Sequence, residues 1–178
     1  VVFICRDGHD NRGVSKVPGA AEIILGKQRN GPVGALHLAF NNAGVGEATR
    51  PLAEMDPQEW QQIIDINLGG VMHAMRAQIP AMLAAGGGAI VNMSSILGLV
   101  GDPGAPAYVA AKHGVTGLTR SAALAYASRG VRINSIHPGY IDTPLTQQNR
   151  YSMPFLLQPG DFADRAYQAI TPGVSYRV

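Results

Sequence analysis

Tyr108 and Lys112 stand four residues apart in the stretch YVAAKHG, just after the proline-interrupted VGDPGAPA. Four residues is about one helical turn, so both side chains project from one face of a helix. A phenol beside an ammonium is either an acid–base device or a packed ring with a snorkelling lysine, and the pair alone does not decide between them. A free tyrosine titrates near ~10, too high to work at neutral pH. A lysine charge ~4–5 Å away, at an effective dielectric of ~20, contributes roughly 3–4 kcal/mol, or two to three pKa units as an upper bound. That is enough to bring the phenol towards the working range.

Other polar groups follow apolar runs. NNAG at 41–44 follows ALHLAF, Ser94-Ser95 follow GAIVNM, and Pro138-Gly139 follow GVRINSIH. Each has an ordinary reading: NNAG makes a good turn, and a serine after a strand is a common cap. Asn67 carries more information. It sits in the apolar stripe of a long helical stretch, between Ile63, Ile64 and Val71. A buried asparagine finds hydrogen-bond partners or costs about 1–3 kcal/mol. Gly69-Gly70 weaken the helix beside it, so a local distortion serving a site is expected there.

The positioning elements are legible from Ala35 onward. ALHLAF, GAIVNMSS and GVRINSIHPG read as buried strands ending in turns. DPQEWQQIIDINLGGVMHAMRAQIPAMLAAGGG reads as one long helix. Asp56 caps it, Pro57 takes the first position, and glycines from Gly86 end it. Trp60, Ile63, Ile64, Leu68, Val71, Met72, Met75, Ile79 and Met82 form its stripe. A second helix runs from about Ala105 to Ser128. Strand, helix, strand, helix, strand with short connections predicts a parallel sheet covered by helices. Ligands bind such sheets outside the carboxyl ends of the strands, where all these candidates converge.

The ends are less regular. VVFIC reads as a strand, residues 8–32 show no sustained period, and AAEIIL fits a helical turn or a strand. The segment Tyr140–Gly160 reads as a functional flap or as disordered, and FADRAYQAI as a last amphipathic helix.

The chain has 178 residues, 46% hydrophobic and 15% charged, with a formal charge of +2. That fits one domain over 1–178 with a proper core. Fourteen basic and twelve acidic residues are scattered along the chain, with no basic run among aromatics, so no nucleic-acid partner is expected. No apolar run approaches the ~20 residues of a membrane span, and no signal peptide is evident. The single Cys5 excludes an internal disulfide and fits a cytoplasmic protein. No His/Cys/Asp cluster has metal-ligand spacing, so no metal is expected. His113 and His137 read as structural.

Taken together, NNAG at 41–44, INLGG around Asn67, IVNMSS ending at Ser95, YVAAK at 108–112 and HPGYIDTP at 137–144 resemble the short-chain dehydrogenase/reductase family. The resemblance covers Gly34 to about Pro144 and includes the thirteen-residue step from Ser95 to Tyr108. It implies a doubly wound, Rossmann-like parallel sheet, incomplete at both ends of this chain. It implies an NAD(P)-dependent oxidoreductase moving a hydride between the nicotinamide and a small carbonyl or secondary alcohol, which the apolar flap suggests is an apolar one. Tyr108 would be the general acid in reduction and the base in oxidation. Lys112 would also bind the nicotinamide ribose. Ser95 would hydrogen-bond the substrate oxygen, and Asn67 would hold a water in a proton relay. Pro138, Gly139, Ile141 and Thr143 would line the nicotinamide, and Asn42, Ala43 and Gly44 the adenosine side. A homodimer or homotetramer is implied, paired through the two long helices.

The N-terminal part departs from the family. No TGxxxGxG phosphate turn is present, since Gly8 and Gly13 stand four residues apart with no GxG. VVFICRD is similar to the family's second strand instead, and Cys5-Arg6 at its end then favours NADP over NAD, because a guanidinium pairs with a 2′-phosphate; if VVFIC replaces the first strand, Arg6 loses that role. The expected alternative is a catalytically impaired, family-derived fragment or binding module with weak cofactor affinity.

Overall fold

A computed structural model describes residues 2–6, 21–25, 38–149 and 152–170. Its elements follow in the order β1 (Val2–Arg6), β2 (Ala21–Leu25), β3 (Leu38–Asn41), α1 (Pro57–Ile64), α2 (Gly70–Ala84), β4 (Gly88–Met93), α3 (Pro106–Tyr126), β5 (Val131–Ile136) and α4 (Pro159–Ile170). Strands β3, β4 and β5 lie side by side in that order and run parallel. The long connections through α1–α2 and through α3 make this possible, because parallel neighbours need a crossover. The result is a Rossmann-like sheet with flanking helices.

The long helix forms as its sequence predicts, with one interruption. Asp56 accepts the Gln58 amide at 2.8 Å, and Pro57 opens α1. At Asp65–Gly69 the helix widens into a single π-turn before α2 continues. Gly86 (φ +84°) and Gly87 (φ +134°) then end it in backbone conformations that side-chain-bearing residues rarely adopt. Val71, Met75, Ile79 and Met82 of this stripe pack on Ala39, Ile90, Val115, Val131 and Ile133.

Polar side chains cross the same core in a satisfied chain. Asn41 donates to Gln78 Oε1 and Asn92 Oδ1 (3.1 and 2.8 Å), Gln78 returns a bond to Asn41 Oδ1 (2.7 Å), and Asn92 donates to Thr119 Oγ1 (2.9 Å). All four residues are buried. The chain ties β3 to β4 and each to a covering helix, near the ends of the strands that carry the site. Buried polar groups that satisfy one another specify a single register, because any slip strands them unpaired.

At the N-terminus one open reading is decided and one expectation is corrected. AAEIIL is open between helix and strand in the sequence; Ala21–Leu25 is a strand. Val2–Arg6 is a strand too, but it pairs antiparallel with β2, Arg6 opposite Ala21, and does not join the parallel ladder. An antiparallel pair needs no crossover helix, and the sequence between these runs has no helical period to make one. Residues 8–20 and 26–32 of the irregular stretch lie outside the described residues.

Candidate active site

The parallel strands end in register. Asn41 stands opposite Asn92, Asn92 opposite Ser135, and Met93 opposite Ile136. Loops leave this edge at Asn42, Ser94 and His137, and α3 returns from it. The structure therefore gathers NNAG, Ser95, Tyr108, Lys112 and Pro138-Gly139 at one rim.

The loop after β4 is held firmly. Ser95 caps the turn Ile96–Gly98, its Oγ accepting the Leu97 amide at 3.1 Å. The Ile96 amide donates to Pro138 O (2.8 Å) and the Ser94 amide to Ile136 O (2.9 Å), tying this loop to the one after β5. His137 completes the tie: Nδ1 donates to Ser95 O (3.1 Å), and Nε2 pairs with Ser135 Oγ (2.9 Å). Ser94 faces inward, its Oγ bonded to Lys112 O (3.0 Å) and to Thr116 Oγ1 (3.1 Å). Of the two serines, then, Ser94 is engaged with α3 and Ser95 stands at the rim.

Lys112 is buried on α3, and its Nζ donates to Met93 O at 2.8 Å. It lies 5.3 Å from the centroid of the Tyr108 ring. Burial lowers its pKa from 10.5 to about 8. Burial also pushes the Tyr108 phenol above its usual 10.0, and a hydrogen bond with the Ser95 side chain offsets this in part. The expected lowering of Tyr108 by Lys112 is therefore corrected. The ammonium faces the ring and the strand end, and desolvation governs both groups.

Asn67 is fully buried in the π-turn. Its Oδ1 accepts the Val45 amide and its Nδ2 donates to Val45 O, both at 2.9 Å. The widened turn lets this side chain clasp the loop after β3. Gly44 lies against it: a Cβ there would stand 2.7 Å from Asn67 Oδ1 and 3.8 Å from Lys112 Nζ. Asn67 thus sits beside Lys112, with both amide positions used by Val45.

The remaining expected residues fall as follows. Asn42, Ala43 and Gly44 are exposed along the loop, and Gly139 is open: apart from its chain neighbours, no atom of the described residues lies within 4 Å of where its Cβ would be. Ile141 bridges in parallel to Leu157, which closes the flap at its base. Thr143 bonds to Thr146 through its amide (3.0 Å) and hydroxyl (3.2 Å), so that hydroxyl is already engaged. Of Arg6, the backbone at the end of β1 is described. One residue escapes the sequence reading altogether: Glu47, whose Oε2 accepts the Tyr108 amide at 2.9 Å. The available signal was indirect, an α3 start (GAPAY) with no capping side chain of its own.

This geometry has known counterparts. The family profile described as short chain dehydrogenase matches residues 22–153. The chain belongs to the short-chain dehydrogenase family. It is 59% identical over 112 residues to a cyclohexanol dehydrogenase of Acinetobacter sp. (strain SE19), covering 63% of this chain and 45% of that protein. It is 50% identical over 112 residues to a cis-4-hydroxycyclohexanecarboxylate dehydrogenase of Sinomonas cyclohexanicum, with the same coverage of 63% and 45%. Among solved structures, levodione reductase matches with a TM-score of 0.63 and 38% identity, over 64% of this chain and 44% of that one. The chain spans less than half the length of these short-chain dehydrogenase relatives.

Proposed function

We propose that this chain carries the catalytic rim of an NAD(P)-dependent oxidoreductase that interconverts an apolar cyclic secondary alcohol and its ketone. The observation that carries the reading is the convergence of Ser95, Tyr108 and Lys112 at the ends of β4 and α3. Burial keeps the phenol protonated at neutral pH, as a proton donor to a ketone oxygen must be. Ser95, linked to the phenol by its side chain, is placed to donate to the same oxygen as charge develops there. Lys112 has three donors and, among the described residues, one acceptor, Met93 O. Its spare N–H bonds, beside the exposed backbone of Asn42–Gly44, suit the vicinal hydroxyls of a ribose. The nicotinamide, when bound, supplies or accepts the hydride. In reduction Tyr108 gives its proton to the alkoxide that forms; in oxidation its phenolate takes one.

A cyclic apolar substrate is supported by the names of two relatives and by the rim itself. Ile96 and Leu99, in and after the turn that Ser95 caps, are exposed. Leu145 is exposed too, and its Cδ1 would stand 3.2 Å from a Cβ at Gly46, so the flap rests on the loop after β3. The lean to NADP over NAD, with Arg6 on the 2′-phosphate, rests on the sequence pair Cys5-Arg6 alone, since β1 stands outside the parallel ladder. A cytoplasmic homo-oligomer completes the reading.

Fluorescence titration with NADPH and NADH, followed by cyclohexanol oxidation and cyclohexanone reduction, tests it. Binding of either dinucleotide with turnover of the ring alcohol is expected, and Arg6→Ala should erase any preference for NADPH. Binding without turnover of any alcohol or ketone favours the second reading, an impaired binding module. Failure to bind either dinucleotide removes the proposal.

A further inference from the structure

We propose that Glu47 is a positioning residue that holds Tyr108 in place for proton transfer by standing in for the missing cap of α3. This inference rests on the reading of Tyr108 as the acid–base group. The N-terminus of α3 lacks local acceptors. Its capping position is Ala105, whose side chain makes no cap bond, and Pro106 has no N–H to satisfy. The amides of Ala107 and Tyr108 are the first that need a partner. Glu47, 61 residues earlier, meets them: Oε2 accepts the Tyr108 N–H at 2.9 Å, and the Ala107 amide acts on the same carboxylate.

The loop that presents Glu47 is tied at both ends. Val45 is clasped by Asn67. The Arg50 amide donates to Gly104 O (3.1 Å), and its guanidinium pairs with Glu59 on α1 (2.9 Å). Thr49 packs where a Cβ at Gly104 would stand, 2.6 Å away. Glu47 is thus the middle tie of a strap running from the Asn67 turn to the start of the Tyr108 helix. The tie is held against a cost. Oε1 is buried without a hydrogen-bond partner among the described residues, and burial, with Glu59 nearby, pushes the carboxyl above 4.5 despite the amide bonds. A carboxylate kept only for stability gains little from an orphaned oxygen. One that fixes the backbone of the acid–base residue controls the geometry of proton transfer.

The test compares Glu47→Ala, which removes the acceptor, with Glu47→Gln, which keeps an acceptor oxygen without the charge, and Glu47→Asp, which keeps the charge but withdraws it. Two readouts are taken: kcat against KM for the dinucleotide, and the ionisation of Tyr108. The latter is the difference in phenolate absorbance between each protein and its Tyr108→Phe counterpart. Glu47→Ala and Glu47→Asp should lower kcat by roughly tenfold to a hundredfold, with KM for the dinucleotide within about twofold, and move the Tyr108 titration down towards the free-phenol range. Glu47→Gln should stay within about threefold of the wild type and leave the titration in place. If Glu47→Ala folds and leaves both readouts unchanged, or if Glu47→Gln fails as badly as Glu47→Ala, the proposal is overturned. If Glu47→Ala does not fold, Glu47→Asp decides by the same criteria. A titration that moves in Glu47→Ala but not in Glu47→Gln, in a protein with no turnover, upholds the tie and removes the acid–base reading instead.

Discussion

The Lys112 ammonium stands 5.3 Å from the centroid of the Tyr108 ring, and its Nζ donates 2.8 Å to Met93 O at the end of β4. The charge therefore rests against the ring face and the strand end, and a cation–π contact of this kind contributes about 0.5–2 kcal/mol. The ring is thus part of the seat of Lys112. The phenol is kept neutral by burial and the lysine is eased towards neutrality by the same cause. A protonated phenol beside a hydrogen-bonded Ser95 is the arrangement that carbonyl reduction needs.

Replacing Tyr108 by Phe separates the two jobs of the ring. Phe keeps the face that Lys112 packs on and removes the proton. Folding should survive, with a thermal midpoint within about 2–4 °C of the wild type. Turnover of a ketone should fall by roughly 10²–10⁴. Wild-type turnover in Tyr108→Phe would show that the proton comes from elsewhere.

Lys112 makes a prediction in pH. Its pKa in the folded chain is about 8 against 10.5 for the free side chain. Between these values the unfolded chain binds more protons than the folded one, so this residue's contribution to stability rises with pH across that window. Below about 8 the full penalty of a buried charge applies, on the order of 3 kcal/mol. Lys112→Met removes the charge, so the melting difference between variant and wild type should favour the variant most at neutral pH and shrink from pH 8 to 10.5. A difference that stays flat with pH would place the ammonium in a solvated setting. Dinucleotide affinity should weaken above about pH 8, as the ammonium is lost, and fall sharply in the variant at every pH.

What the sequence makes legible here is whatever repeats locally. The stripe from Trp60 to Met82 announces a helix, and the same stripe marks Asn67 as out of place; the structure answers with a π-turn and the clasp on Val45. The spacing of Tyr108 and Lys112 sets a common helix face. It does not give their burial, which reverses the expected direction of the Tyr108 shift. Nor does it give contacts between distant segments. Glu47 reaches an amide 61 residues away, and neither residue carries a local sign of the other. The pairing of β1 with β2 was illegible for a related reason: five-residue apolar runs have no period long enough to tell strand from helix, and none that sets direction.

Assembly gives the third prediction. Leu124 is 85% exposed on α3, a large apolar side chain in water on one of the two helices expected to pair with a second copy. Sedimentation at micromolar concentration should show a homodimer or homotetramer. Leu124→Glu should shift it towards monomer by adding like charges across a two-fold axis. A wild-type chain that sediments as a monomer at that concentration would remove the expectation.

The last prediction tests the clasp between the π-turn and the loop after β3. A methyl group at Gly44 would stand 2.7 Å from Asn67 Oδ1, closer than real Cβ contacts come. Asn67 cannot swing away freely, because both ends of its amide are bonded to Val45 and its side chain is fully buried. Gly44→Ala must therefore break at least one of these bonds or push the loop outward, at about 1–3 kcal/mol. Asn67→Ser alone loses the clasp and should cost a similar amount. In the double variant the shorter side chain leaves room for the methyl group, so the cost should fall short of the sum by about 0.5–3 kcal/mol, the range seen for residues in contact. Denaturant melts of the four proteins measure this directly. Strict additivity would mean that a methyl group at Gly44 does not meet Asn67.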